Sequence, residues 1–124
     1  MRITTAEIGP HSPRFRLRRL DRRTRAGKFL IATERALSGH LGGPEQVSVP
    51  QRILIERVAS DLLRLELLEE KLAAKTFTDH DARVAHALRN SIRLALRDLG
   101  FDKAVSSPAL SLDAYLAQKG ADAA

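Results

Sequence analysis

The chain has no cysteine and no tryptophan, and only 4% of its 124 residues are aromatic. The missing thiols exclude disulfides, zinc–thiolate sites and a cysteine nucleophile, and they suit a reducing cytosol. With so few aromatics the core must be built from Leu, Ile, Val and Ala, which favours helix on helix packing with short aliphatic knobs. The same scarcity leaves little material for stacking single-stranded bases. No apolar run approaches the ~20 residues of a membrane span. Residues 1–20 lack the apolar centre of a secretory signal. These absences lead to the expectation of a soluble protein in the cytoplasm. Gly42-Gly43 is not followed by the Lys-Ser/Thr of a phosphate loop, so no nucleotide site is expected there.

Hydrophobic residues make up 44% of the chain, enough for one small domain. The net charge is +6, and it is unevenly placed. Residues 1–28 hold nine Lys/Arg against Glu7 and Asp21, a net of +7. The remaining residues hold twelve against thirteen acids, a net of −1. The positive excess is therefore a property of the N-terminal stretch.

Gly9, Pro10 and Pro13 interrupt regular structure at the start. Arg14-Phe15-Arg16-Leu17-Arg18-Arg19-Leu20 alternates briefly, as an edge strand or an extended segment on a partner does. It is short and highly charged, so residues 1–23 are expected to form a basic, largely disordered arm. A helix is expected over about 24–41, capped by Asp21 or Thr24, with Phe29, Leu30, Thr33, Leu37 and Leu41 on its apolar side. Gly42-Gly43-Pro44 ends it. Gly27 and Gly39 each weaken that helix by about 1 kcal/mol relative to Ala.

Ser48-Val49-Pro50-Gln51 has the form of a capping box, with Ser at the N-cap and Gln three residues on. Behind it Leu54, Val58, Leu62, Leu65, Leu68 and Leu72 mark a face that Ile55, Ala59, Leu63 and Leu67 broaden. A helix over 49–73 follows, apolar over an arc wide enough to touch more than one neighbour. Thr78 caps the next, over 79–99, with Val84, Ala85, Leu88, Ile92, Ala95, Leu96 and Leu99 inward and Gly100 as its stop. The short break between them makes the pair an antiparallel hairpin. A last short helix is expected over about 112–119 in the tail 101–124. The class is all-α: a long antiparallel helical hairpin, one shorter N-terminal helix and a short C-terminal one, with 24–100 as the three-helix domain.

Asp79, His80, Asp81 and His86 are the residues best able to join Glu66, Glu69 and Glu70 in a metal or catalytic site. Their spacing does not place the histidines on one helix face, and Asp79 with Arg83 reads as an ion pair. His11 and His40 stand in loops without a nucleophile or carboxylate beside them. No metal, cofactor or enzymatic activity is expected. Arg14, Arg16, Arg18, Arg19, Arg22, Arg23, Arg25 and Lys28 place eight cations in fifteen residues, a density that binds polyanions by releasing counterions. The alternatives are a solubilising tail and an organelle presequence. Arg89, Arg93 and Arg97 recur every fourth residue, either as a DNA-facing ridge or as a solvated row paired with Glu66, Glu69 and Glu70.

Leu41-Gly42-Gly43, Ser48, Gln51-Arg52, Ile55, Arg57, Ala59, Leu65-Glu66, Glu69 and Leu72, followed by Asn90, Arg93, Leu96 and Leu99-Gly100, form a pattern over about residues 21–101. It resembles small helical proteins of bacteriophages and prophages, of the terminase small subunit type used in viral genome packaging. The resemblance implies a homo-oligomer built by the hairpin, with Leu54, Val58, Leu62, Leu65, Leu68 and Leu72 at the subunit contact. It further implies binding to double-stranded DNA, a contact from 108–119 to a packaging ATPase large subunit, and a bacterial host cytoplasm. Such subunits usually carry an N-terminal helix-turn-helix. Here one helix and an Arg-rich stretch stand in its place, so phosphate contact rather than base reading is expected. Two further readings are an adaptor module that oligomerises or binds protein without touching nucleic acid, and a small basic transcription regulator.

Overall fold

The longest helix owes its start to two hydrogen bonds that the sequence spells out. In the computed structural model, which describes residues 8–101 without the Phe15 side chain, together with residue 120, Ser48 Oγ accepts from Gln51 N–H at 3.3 Å. Gln51 Oε1 accepts from Ser48 N–H at 2.9 Å. The order is α1 (Arg14–Arg18), α2 (Arg25–His40), a 3-10 turn (Pro44–Gln46), α3 (Val49–Ala73) and α4 (Asp79–Asp98). No strand occurs among the described residues. The protein is all-α, and no helix among those residues is long and apolar enough to cross a membrane. The expected helix over 112–119 lies outside the described residues, as do residues 1–7 of the arm.

α3 is the axis, and α1, α2 and α4 all pack on it. These three neighbours cover most of its apolar surface, leaving Val49, Ile53 and Leu72 exposed. On the α4 side, Val58 is fully buried against Ile92 and Ala95, with Leu37, Leu54, Leu62, Leu65 and Leu96 packed around them. Lys71 near the end of α3 reaches Asp81 near the start of α4. Together these contacts make the hairpin antiparallel. On the other side Leu63 joins Ile8, Leu17, Leu20 and Ala26 in a second buried cluster, flanked by Phe29, Leu30 and Leu67.

That second cluster corrects the expectation of a disordered arm for residues 8–23. Arg14–Arg18 is a helical turn rather than a strand, and Leu17 is 0% exposed. Spacing of three, not alternation of two, governs the segment: Leu17 and Leu20 point inward while the arginines between them face out. The turn that follows is tight. The Asp21 carbonyl accepts both the backbone N–H and the hydroxyl of Thr24, and Thr24 Oγ1 caps α2 by accepting from Gly27 N–H at 3.0 Å. Thr24, not Asp21, is the cap.

The joins behave as turn chemistry demands. Gly42 and Gly43 hold φ of 106° and 103°, and Gly43 N–H donates to Ser38 C=O at 2.8 Å, closing the end of α2. The end of α3 has no glycine. Lys75 takes φ of 60° in its place, and Thr76 N–H reaches back to Lys71 C=O at 2.9 Å. At α4, Thr78 and Asp81 bond reciprocally, a second capping box.

Candidate nucleic-acid interface

A folded N-terminal stretch sorts its cations by position. Arg14 Nη donates to Asp61 Oδ1 at 3.2 Å, Arg18 pairs with Glu56, and Arg25 lies 3.4 Å from Glu70. These three bind the stretch to α3. Arg22 lies near the half-buried Glu34 without entering an ion pair with it. Arg16, Arg19, Arg23 and Lys28 are exposed, and among the described residues none of them pairs with a carboxylate. Of the eight cations picked out in the sequence, three are thus spoken for by the protein's own acids, and five (Arg16, Arg19, Arg22, Arg23 and Lys28) face solvent.

The acid that most needs its partner is Asp61, 1% exposed in the middle of α3. A buried carboxylate with no cation or donor would be very costly. Arg14 meets it from one side, and Ser91 Oγ on α4 donates to Oδ2 at 3.3 Å. Arg64 stands one turn along, donating to the Ser12 carbonyl at 2.5 Å, with a buried Nε that has no partner among the described residues. Burial first and Arg14 second lower its guanidinium from the ordinary value, while Asp61 raises it.

A second buried acid joins three segments. Asp81 is 1% exposed. Its Oδ2 takes Lys71 Nζ at 2.6 Å and Thr78 N–H at 3.0 Å, while Oδ1 takes His11 Nε2–H at 2.9 Å. The His80 ring lies 5.1 Å from that of His11. His11 is therefore a ligand of a carboxylate, contrary to its reading as an unpartnered loop residue. The hydrogen bond from Lys71, then that from His11, holds the Asp81 carboxyl far below the ordinary range. A carboxyl depressed by folding stabilises fully above its unfolded value of about 3.9, and that stability is lost as pH falls towards the folded value. Below about pH 4 the thermal midpoint should drop in the parent and drop less steeply in Asp81→Asn, measured by circular dichroism melts at stepped pH. Equal slopes would show that Asp81 carries no such linkage.

On α4, Arg89, Arg93 and Arg97 are exposed, and Glu66, Glu69 and Glu70 do not pair with them. Arg93 donates to Asn90 Oδ1 at 3.0 Å, and among the described residues Arg97 meets Asp98, at 4.0 Å. The expected Asp79–Arg83 pair is not formed among the described residues. His86 stands apart on the exposed side, and His40 stacks on Phe101 with ring centroids 4.6 Å apart. Among the described residues no group of three or more His, Asp or Glu is placed to hold a metal ion.

The proposed subunit-contact residues are largely used inside one chain. Val58 and Leu68 are 0% and 1% exposed, and Leu54, Leu62 and Leu65 are half-buried against the α3–α4 core. Only Leu72 of the six is exposed. Among the described residues the large apolar side chains left in water are Val49, Ile53 and Leu72.

Asp61, Glu56 and His11 escaped the sequence reading. Asp61 carried a signal, because it falls a helical repeat from Leu54 and Leu68 within the apolar stripe, and a charge in such a place demands a cation from elsewhere. Nothing in the local sequence names Arg14, 47 residues away, as that cation. The chain matches no family model, no curated protein and no solved structure.

Proposed function

We propose that this is a non-enzymatic DNA-binding accessory protein that grips duplex phosphates from a folded, not a trailing, basic surface. The observation that carries this reading is the exposure of Arg16, Arg19, Arg22, Arg23 and Lys28 within thirteen consecutive residues of an ordered segment, with no ion pair to the protein's own acids among the described residues. Cations held on a scaffold lose less conformational freedom on binding than those of a loose tail. Arginine and lysine placed this densely release counterions from any duplex, whatever its base sequence. The exposed row Arg89, Arg93 and Arg97 supplies a second cationic strip on α4.

The resemblance to phage terminase small subunits gives the specific form of the proposal. The protein would act in the bacterial cytoplasm as a homo-oligomer that delivers viral DNA to a packaging ATPase, with 108–119, outside the described residues, as the motor contact. The test is duplex binding by fluorescence anisotropy across a salt series. Replacing Arg16, Arg19, Arg23 and Lys28 by Gln should weaken binding at low salt and reduce the slope of log affinity against log salt by up to about 3.6, on the order of 0.9 per lost phosphate contact. Unchanged slope and affinity would move the site elsewhere.

A second reading, an adaptor that binds protein only, draws on Val49 and Ile53, 67% and 57% exposed one turn apart at the start of α3. It predicts no duplex binding even at low salt, together with a defined oligomer by light scattering.

A further inference from the structure

α3 carries its two cores on opposite sides. Leu54 and Leu65 pack with Val58 against Ile92 and Ala95 of α4, while Leu63 packs with Leu17, Leu20 and Ala26 of the N-terminal stretch. At 3.6 residues per turn, Leu63 lies about 180° around the helix from Leu54 and about 160° from Leu65. α3 is therefore a middle layer, with the basic stretch on one side and α4 on the other.

The outer face of α4 is also cationic. Arg83, His86, Arg89, Asn90, Arg93 and Arg97 are all exposed. They fall within an arc of about 120°, on the side away from the buried Ala85, Ile92 and Ala95. No acid interrupts the helix between Asp81, which is buried and held by Lys71 and His11, and Asp98. Arg97 approaches Asp98 at 4.0 Å, and among the described residues Arg83, Arg89 and Arg93 enter no ion pair. Arg89, Arg93 and Arg97 repel one another at four-residue spacing, and no acid of α3 relieves them. A charge row that opposes its own helix and is unmet inside the chain points to a polyanion outside it.

One straight duplex cannot reach both surfaces. With helix axes about 8–10 Å apart and side chains on each outer face, the two surfaces stand roughly 30 Å apart and face away from each other. DNA stays straight over about 150 bp, so a reversal of about 180° around so thin a body is strongly opposed. We propose that the protein joins two duplex segments, one on the folded basic stretch and one on the outer face of α4, a bridge that rests on the duplex-binding reading above. Arg83, Arg89, Arg93 and Arg97 are the phosphate contacts of the second site.

A capture assay tests the bridge. One duplex is immobilised, the full chain is added at low salt, and a second, fluorescent duplex of unrelated sequence is offered. The parent should retain the second duplex. Arg89→Gln, Arg93→Gln and Arg97→Gln together should leave binding to the immobilised duplex through the basic stretch. Capture should then fall on the order of tenfold, because the second site loses three phosphate contacts. The variant with Gln at Arg16, Arg19, Arg23 and Lys28 should keep weaker single-duplex binding through α4 and lose capture as well. All seven side chains are exposed, and circular dichroism checks that both variants remain helical. Parent protein that binds the immobilised duplex without capturing the second would overturn the bridge and leave the duplex-binding reading standing. No binding at all would overturn both. Capture that survives the α4 substitutions would also overturn the bridge, since an oligomer using one face per chain would then suffice.

Discussion

Leu17→Ala should cost about 2–5 kcal/mol of folding stability, the range for emptying a fully buried leucine site. Leu17 is 0% exposed in a segment with four arginines within four residues of it, and its cluster contains Ile8, Leu20, Ala26 and Leu63. A loss of this size is a large share of the total stability of a small domain. Urea denaturation followed by circular dichroism measures it directly, and a change below about 0.5 kcal/mol would match a surface leucine rather than a core one. The same packing explains why removing residues 1–28 is a poor test of DNA binding. The cut takes away Ile8, Leu17, Leu20 and Ala26 together with the cations, so lost binding would follow from lost fold.

Gly27→Ala and Gly39→Ala should move stability in opposite directions, although both glycines lie in α2. At Gly39 an added methyl meets nothing within 4 Å. The substitution should stabilise by up to about 1 kcal/mol through helix propensity alone. At Gly27 the methyl would stand 2.2 Å from the Asp21 carbonyl oxygen and 3.0 Å from Arg22 Cα. Those are backbone atoms, and the carbonyl is already held by Thr24 N–H and its hydroxyl at 3.1 and 2.7 Å. The turn must open to admit the methyl, at a cost of about 1–3 kcal/mol or more. Thermal melts of the two variants beside the parent give the signs. A Gly27→Ala protein as stable as the parent would mean that the turn from Asp21 to Thr24 is not closed against α2.

The two glycines show how far local sequence reaches. Both read as propensity defects, because propensity is a property of the residue and its own helix. The close approach at Gly27 depends on where the chain before the helix returns, which no local pattern states. The hairpin was legible for the opposite reason. Ser48 with Gln51, Thr78, and the periodic leucines are short-range signals that agree with one another, and α3 and α4 start at Val49 and Asp79 as those signals imply. The stretch 8–23 was misread because its charge outweighs its apolar content on average. Folding weighs individual burial: Leu17 and Leu20 enter a core while the arginines beside them stay wet or reach α3.

The charge pairings were hidden by distance along the chain. Arg14 finds Asp61, Arg18 finds Glu56, and His11 finds Asp81, separations of 47, 38 and 70 residues. Composition counted eight cations as equivalent. The fold divides them into those that brace α3 and those that face solvent. Arg14→Ala therefore belongs with the stability variants, since it strands a buried Asp61, and Arg16→Ala belongs with the binding variants.

A rigid basic surface requires the stretch carrying Leu17 and Leu20 to be seated on α3 against Leu63. Methyl NOE spectroscopy on selectively labelled protein tests this most directly. Cross-peaks from Leu17 to Leu63 or Ala26 that persist at high salt are the predicted result, because the seat is apolar and salt does not screen it. Leu17 methyls at random-coil shifts, with no cross-peak to either residue, would contradict it.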